Sequence, residues 1–390
     1  MFQRYPKRPG KSFFLLGPRG TGKSTWLGTL SFDYKIDFLV QKDRLAYTRD
    51  VDLLEARTAH LKDKSWILID EVQKVPEILN AVHRLYEQRR FNFALSGSSA
   101  RKLKRSGVNL LGGRAIMRRM YPLTYTEYSS SALDVGQLIE WGTLPLVLDQ
   151  FDARRDTLSS YVETYLMQEI MEERIVNSIE PFARFLSIAG QINGQVLNVE
   201  NIARESKVKR TTVDNYLEVL EETLISYKLP AYQPNIRINE AARPKMYFFD
   251  SGVARACAGL IYDEIDGSTK GFLFETFLLN EVRAYNEYAE RHKFLAYYSI
   301  RSSYEIDLII QIRKKSVNTP DQIIACEFKS GRNWRSEWSA SFDVLRQDFS
   351  KTEIKRAIVV YGGEHRESHG NVELMPVKSF LEALWSGLIF

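Results

Sequence analysis

The first 130 residues alternate short apolar runs with longer periodic stretches. Strand-like runs fall at residues 12–16, 34–40, 66–69 and 91–95, and a further one leads to Tyr121. A run without alternation, such as residues 66–69, fits a strand buried on both faces of a parallel sheet. Between the runs, residues 25–30, 44–62 and 75–90 carry helical spacing, the last opened by Pro76. Further on, residues 154–176 predict one long helix with Leu158, Tyr161, Tyr165 and Ile170 on one face. Residues 182–193 predict another. Two shorter helices follow at 199–206 and 211–223, then two strands at 224–229 and 245–250. The last readable block is a helix at 272–285, strands at 293–300, 305–310 and 323–329, and a polar turn at 314–322. The order predicts an α/β chain whose front half is a parallel sheet.

Between the first strand and the first helix stand Gly17, Pro18, Arg19, Gly20, Thr21, Gly22, Lys23 and Ser24, which fit G-x-x-x-x-G-K-[ST]. Glycines let successive backbone N–H groups turn inward around phosphates. The following helix start adds positive potential. Lys23 is placed to reach the β- and γ-phosphates of ATP and Ser24 to ligate Mg²⁺, with Thr25 closing the nucleotide-binding set. The run at 66–69 ends in Asp70 and Glu71, and reads as a Walker B segment. Asp70 would hold Mg²⁺, directly or through water, and Glu71 would orient and deprotonate the attacking water. The run at 91–95 ends in Ser96, Gly97, Ser98 and Ser99. Ser96 is either a γ-phosphate sensor or a cap for a helix at 100–104, and Ser98 or Ser99 suits the cap better.

These segments recur in a recognisable order: the P-loop, Asp70-Glu71-Val72-Gln73, Gly97-Ser98-Ser99, Gly113-Arg114, then Pro122 and Leu123 with Glu127 and Tyr128. The set resembles the prokaryotic AAA-type ATPases whose C-terminal half is a DUF4143 domain. Gly142, Thr143, Leu144 and Pro145 resemble that family's Gly-x-x-Pro turn. The resemblance implies an AAA-like P-loop NTPase sheet with the sensor strand between the Walker A and Walker B strands. It makes Arg114 a phosphate contact, in cis or as an arginine finger to a neighbour in a self-associated form; a structural salt bridge is the other reading. No clear second sensor arginine follows, so a ring-forming AAA+ mechanism lacks a usual part.

In the middle, Asn198 caps the helix at 199–206, and residues 207–210 form the turn of a helix-turn-helix. The strands at 224–229 and 245–250 would be its wing. Lys207, Lys209, Arg210, Thr211, Thr212 and Asn215 stand where a DNA reader meets phosphates and base edges. Glu218, Glu221 and Glu222 make the far end of that helix acidic and favour packing over DNA contact.

Near the C-terminus, Glu275 lies on a predicted helix, Glu305 and Asp307 share one face of a strand, and Glu327 and Lys329 share a face of the next. Helix-Glu, strand-Asp, strand Glu-x-Lys is the layout of restriction-endonuclease-like, PD-(D/E)xK nucleases. Asp307 and Glu327 would bind Mg²⁺ through oxygen. Lys329 would position the water and Glu275 a second metal or its water shell. His365 and His369 follow two glycines without an evident third ligand.

Composition narrows this picture in two ways. Two cysteines, Cys257 and Cys326, exclude a disulfide framework and fit a cytoplasmic chain. No apolar run reaches membrane-span length, and the first eleven residues lack the apolar core of a signal peptide. A net charge of +5 permits an acidic partner, with DNA ahead of RNA, without requiring one. The domains expected are a P-loop ATPase at 1–130, a helical connector at 131–180, a winged helix-turn-helix at 181–250 and a nuclease-like domain at 251–390. The leading function is an ATPase coupled to a nucleic-acid-acting, Mg²⁺-dependent nuclease domain. Two alternatives stand beside it: a nucleotide switch that binds a protein partner through an inactive scaffold, and a nuclease for which ATP is only an allosteric ligand.

Overall fold

The structure, a computed structural model, describes the chain apart from residues 1, 89, 99–114, 130–132, 173–177, 234–242, 301–303, 317–318 and 350–351. It divides into two compact units, Met1–Leu123 with Glu218–Ile225, and Thr124–Leu217 with Ser226–Phe390.

The first unit holds a five-stranded sheet of β1 (Phe13–Leu16), β2 (Tyr34–Asp37), β3 (Ser65–Asp70), β4 (Phe91–Gly97) and β5 (Ile116–Arg119). Their spatial order is β2-β3-β4-β1-β5, and every pairing is parallel. Strand β4, the one expected to carry the sensor, thus lies between the strand before the P-loop and the strand ending in Asp70. Successive residues face opposite cores: Phe14, Ile67, Ile69, Phe93 and Leu95 pack on one side, Phe13, Leu15, Leu68 and Ala94 on the other. Both faces are covered, which is why these strands read as unbroken apolar runs.

Several boundaries differ from the sequence reading. The helix expected at 44–62 is two helices, Gln41–Arg49 and Leu53–Thr58. Asp50 is extended between them, and its carboxylate accepts the Asp52 N–H at 2.9 Å, a side-chain turn that competes with helix. β2 stops at Asp37 because Asp37 Oδ1 accepts the Leu39 N–H at 2.8 Å, leaving Leu39 and Val40 exposed. The helix expected over 75–90 runs Ile78–Glu87, after a tight turn at Val72–Lys74.

The second unit opens with the turn Tyr125–Tyr128, capped reciprocally by Thr124 and Glu127. The long helix of residues 154–176 is α-helical over Arg154–Ser160, π-helical over Tyr161–Leu166 and α-helical again over Met167–Glu172. Its buried stripe is Leu158, Tyr161, Leu166 and Ile170. The five-residue step from Tyr161 to Leu166 is what a π turn accommodates. The Tyr165 side chain lies outside the described residues. Helices Val199–Ser206, with Asn198 accepting the Asn201 N–H as the cap, and Arg210–Glu222 follow. β6 (Ser226–Leu229) then pairs antiparallel with β7 (Lys245–Phe248).

A mixed sheet ends the chain: β8 (Phe294–Ile300), β9 (Tyr304–Arg313), β10 (Asp321–Lys329), β11 (Thr352–Tyr361), β12 (Glu367–His369) and β13 (Val372–Pro376), in the order β12-β13-β11-β10-β9-β8. β10, β11 and β13 run parallel, and the remaining pairings are antiparallel. Helix Gly267–Tyr288 supports Glu275 and starts five residues earlier than expected, since Asp266 caps it through the Thr269 N–H at 2.6 Å. Among the described residues no helix is long and apolar enough to cross a membrane. Both cysteines are free and buried.

Two buried acids of this unit generate predictions. The Gly142 turn closes on Asp250, whose carboxylate accepts the Thr143 N–H at 2.7 Å and the Val253 N–H at 3.0 Å. Gly142 has φ +76°, and a Cβ there would lie 2.0 Å from Asp250 Oδ1. Gly142→Ala should therefore cost about 2–4 kcal/mol in denaturant unfolding; an unchanged midpoint would reject this packing. Glu281 accepts from the Tyr128 hydroxyl (2.9 Å), the Tyr125 N–H (3.2 Å) and Trp385 Nε1 (2.8 Å). Burial pushes its carboxyl up to about 7 from the ordinary 4.5. A raised carboxyl stabilises the fold fully below its unfolded value and loses that contribution as pH rises through about 7. The urea midpoint of the wild type should fall more steeply from pH 5 to 8 than that of Glu281→Gln, and parallel curves would contradict the assignment.

Candidate active sites

The phosphate loop is built by backbone. Gly20 and Gly22 adopt φ of 82° and 84°, a region closed to most side chains. A Cβ at Gly17 would stand 2.5 Å from the Met120 carbonyl oxygen. Thr21 Oγ1 donates to the Pro18 carbonyl at 2.8 Å, and Arg4 ties the loop to β5's exit by donating to Thr21 O and Tyr121 O, each at 2.7 Å. Gly22 starts helix Lys23–Gly28, two residues earlier than the spacing predicts. Lys23 is buried with its ammonium on the Gly17 and Pro18 carbonyls at 2.6 and 3.0 Å. Arg19, Ser24 and Thr25 are exposed around this loop. The cradle fits a polyphosphate: glycine-only backbone lines it, and a lysine held by weak carbonyl acceptors can be exchanged onto phosphate oxygens.

Asp70, at the end of β3, is buried. Its Oδ1 accepts the Ser96 hydroxyl and the Glu71 N–H (3.1 Å), and the same N–H lies 3.2 Å from Ser96 Oγ. Ser96 therefore reaches sideways to the neighbouring strand. Glu71 has φ 55°, an uncommon conformation for a glutamate that turns the chain sharply out of the strand. Its carboxylate accepts Gln73 Nε2, which also lies 3.1 Å from Ser98 Oγ. Gln73 is 5% exposed, and a Cβ at Gly97 would meet its Oε1 at 2.6 Å. Gln73 thus links Glu71 to the tip of β4. Nothing in the sequence assigns Gln73 this role, because its partners are set by the β3-β4 pairing. Arg114, Ser99, Gly113 and the helix expected at 100–104 lie outside the described residues.

In the second unit the structure brings Glu275, Asp307, Glu327 and Lys329 together. Asp307 Oδ2 accepts the Phe328 N–H at 2.7 Å across β9 and β10, and Lys329 Nζ pairs with Glu327 Oε1 at 2.5 Å. Glu327 Oε2 is buried with no hydrogen-bond partner. Two groups that the sequence did not single out complete the cluster. Lys245, 2% exposed on β7, lies 2.9 Å from Glu275 Oε1 and 3.8 Å from Asp307 Oδ1, and pairs with Glu305. Tyr247 donates its hydroxyl to Glu275. Burial and then Asp307 push the Glu275 carboxyl up to about 7, against the pull of Lys245. Burial and Asp307 push Glu327 well above the carboxylate range, against Lys329. Burial opposes the charge on Lys245, and Glu275, Asp307 and Glu305 outweigh it, so its ammonium is held above the usual value. An orphaned buried oxygen beside a second carboxylate fits a divalent cation, which takes oxygen ligands.

Elsewhere, Lys207, Lys209, Thr211 and Asn215 are exposed at the start of helix Arg210–Glu222, while Arg210 pairs with Glu200 at 3.2 Å and Asp214 at 4.0 Å. Phe182 and Phe185 pack on Tyr216. His369 stacks on Trp334 at 4.4 Å and pairs with Glu367 at 2.8 Å.

Gln73→Ala should lower kcat for ATP hydrolysis roughly 10- to 100-fold with little change in KM, since it frees Glu71 without touching the phosphate loop. Steady-state kinetics with wild-type kcat would show that the contact orients nothing.

Three family models match in chain order: an AAA domain over residues 9–129, a domain of unknown function (DUF8612) over 133–264, and a domain of unknown function (DUF4143) over 270–380. Similar chains include uncharacterized protein Rv2008c of Mycobacterium tuberculosis, 24% identical over 373 residues, covering 90% of this chain and 76% of that one. Uncharacterized protein MJ1544 of Methanocaldococcus jannaschii is 21% identical over 387 residues, covering 91% and 83%. Among solved structures, the Aeropyrum pernix ORC1 protein in complex with DNA aligns at 13% identity over 65% of this chain and 87% of that one, with a TM-score of 0.26. A Thermotoga maritima DNA polymerase III gamma subunit-related protein aligns at 11% over 72% and 80%, with a TM-score of 0.22. Scores this low leave the fold to be judged from the chain's own strand order. An AAA domain match thus comes first and a DUF4143 match last, the arrangement of AAA-type P-loop ATPases with a C-terminal DUF4143 domain, which this chain resembles.

Proposed function

We propose that the first unit hydrolyses ATP and that its nucleotide state governs a metal-dependent phosphodiester-cleaving site in the DUF4143 domain, acting on DNA. The observation that carries the second half is the convergence of Glu275, Asp307, Glu327 and Lys329, with Glu327 Oε2 buried and unpaired. In the ATP site Lys23 and the loop N–H groups bind the phosphates, and Ser24 and Asp70 would hold an Mg²⁺ ion, which would supply positive charge to them. Ser96 fixes one oxygen of Asp70, and Gln73 holds Glu71 to orient and deprotonate the attacking water. Arg114 either contacts phosphate in cis or reaches a neighbouring copy. In the second site, Mg²⁺ on Asp307 and Glu327 would polarise the phosphate and its bound water. Lys329 would orient that water, and Glu275 would hold a second metal or its water shell. The working partition is ATPase at 1–130, connector at 131–180, winged helix-turn-helix at 181–250 and nuclease-like domain at 251–390. The exposed Lys207 and Lys209 would meet the DNA backbone.

A second reading, a nucleotide switch that binds a protein partner through a non-cleaving scaffold, is favoured by Lys245, which satisfies part of the acidic cluster from within.

The test combines two assays. Glu71→Gln should retain ATP and lower turnover at least about 100-fold. Circular duplex and single-stranded DNA are incubated with Mg²⁺ or Mn²⁺, with and without ATP, using wild type, Asp307→Ala and Glu327→Gln. Cleavage by the wild type and its loss in both variants supports the proposal. Absence of cleavage with ATPase intact selects the switch, and undiminished cleavage by Glu71→Gln makes ATP an allosteric ligand only.

A further inference from the structure

The acidic cluster already contains a cation. Glu275, Glu305 and Asp307 each present an oxygen, all within 4.8 Å of one another. Oxygen ligands 2.0–2.6 Å from a shared ion, as divalent cations take them, span about that distance. The Lys245 ammonium reaches the same three carboxylates, at 2.9 Å from Glu275, at 3.8 Å from Asp307 and in an ion pair with Glu305. It has no competing solvent, being 2% exposed, and its charge lies 5.6 Å from the Tyr297 ring centroid.

Counting charges shows what is left over. Four carboxylates, Glu275, Glu305, Asp307 and Glu327, face two ammonium groups, Lys245 and Lys329. With all six ionised, two negative charges remain. The unpaired position is Glu327 Oε2, on a carboxylate outside the group of three that Lys245 serves.

We infer that the Lys245 ammonium occupies a divalent-cation position, so that the wild-type cluster holds one ion fewer than its carboxylates could coordinate. This rests on the reading above that Asp307 and Glu327 bind a divalent ion, and it deepens that reading: the site works with one ion where a two-ion clamp would otherwise form. Two-ion sites hold both the attacking and the leaving oxygen. Here an ammonium, with three donors and no bound water to deprotonate, stands on one side. The lysine also comes from β7, outside the β8–β13 sheet, so the wing strand supplies a charge that the cluster needs.

The experiment is an Mn²⁺ titration of the full chain by calorimetry, without nucleotide, for wild type, Lys245→Ala and Lys245→Ala/Glu305→Gln. The phosphate-loop unit is the same in all three, so its contribution cancels. Lys245→Ala should take one more Mn²⁺ per chain than the wild type, and the double variant should lose that extra ion. Equal counts for wild type and Lys245→Ala would overturn the inference. Should Lys245→Ala fail to fold, Lys245→Met keeps the aliphatic stem packed and gives the same comparison. The hydrolytic reading is judged separately: a wild-type count no higher than that of Asp307→Ala removes it, whatever the Lys245 difference shows.

Discussion

A carboxylate taken out of water must find donors or an opposite charge, and the unit that ends the chain is organised by how it meets that demand. Asp250 is met by backbone N–H groups and closes the Gly142 turn. Glu281 is met by neutral donors from a phenol, an indole and the backbone, and so anchors Thr124–Tyr128 and the C-terminal helix Val377–Trp385. Glu275 is met by an ammonium and a phenol. Glu327 is met on one oxygen only. The series runs from complete local satisfaction to an unmet acceptor, and the chemistry is proposed where satisfaction runs out.

The first unit solves a different problem, which is to bring polar groups from separate strands to one edge. Parallel pairing puts the ends of β1, β3 and β4 side by side. β1 is apolar throughout and is followed by Gly17, β3 ends in Asp70, and β4 ends in Ser96 and Gly97 where the sheet stops. The lateral bonds from Ser96 to Asp70 and from Gln73 to Glu71 follow from β4 lying next to β3. A strand order with β1 beside β3 would leave both contacts unmade.

The parts legible in sequence were those whose geometry is local. The phosphate loop is eight consecutive residues, and its glycine positions state the backbone they require. Asp307 and the Glu327–Lys329 pair could be placed because a strand alternates faces, and Glu275 because the helix, strand and strand follow in order. Lys245 was not legible: β7 is buried over all four of its residues, and its partners lie 30 to 62 positions away. Gln73 sits two residues from Glu71, yet its link to Ser98 depends on a neighbouring strand. The break after Arg49 was missed because helical periodicity outweighed the side-chain turn that Asp50 makes. The elements expected from the sequence include no strands at β11–β13, although Thr352–Tyr361 ends in five buried residues.

The π turn at Tyr161–Leu166 bears on how this helix can change in length. In an ordinary α-helix, removing one residue rotates everything beyond it by about 100° and carries the apolar stripe off the core. Here Tyr161 and Leu166 are separated by five steps, and both are buried. Shortening that step to four converts the wide turn into an α turn and leaves Leu158 and Ile170 on the face they already occupy. The segment is therefore a seam at which a one-residue deletion redirects neither half of the helix.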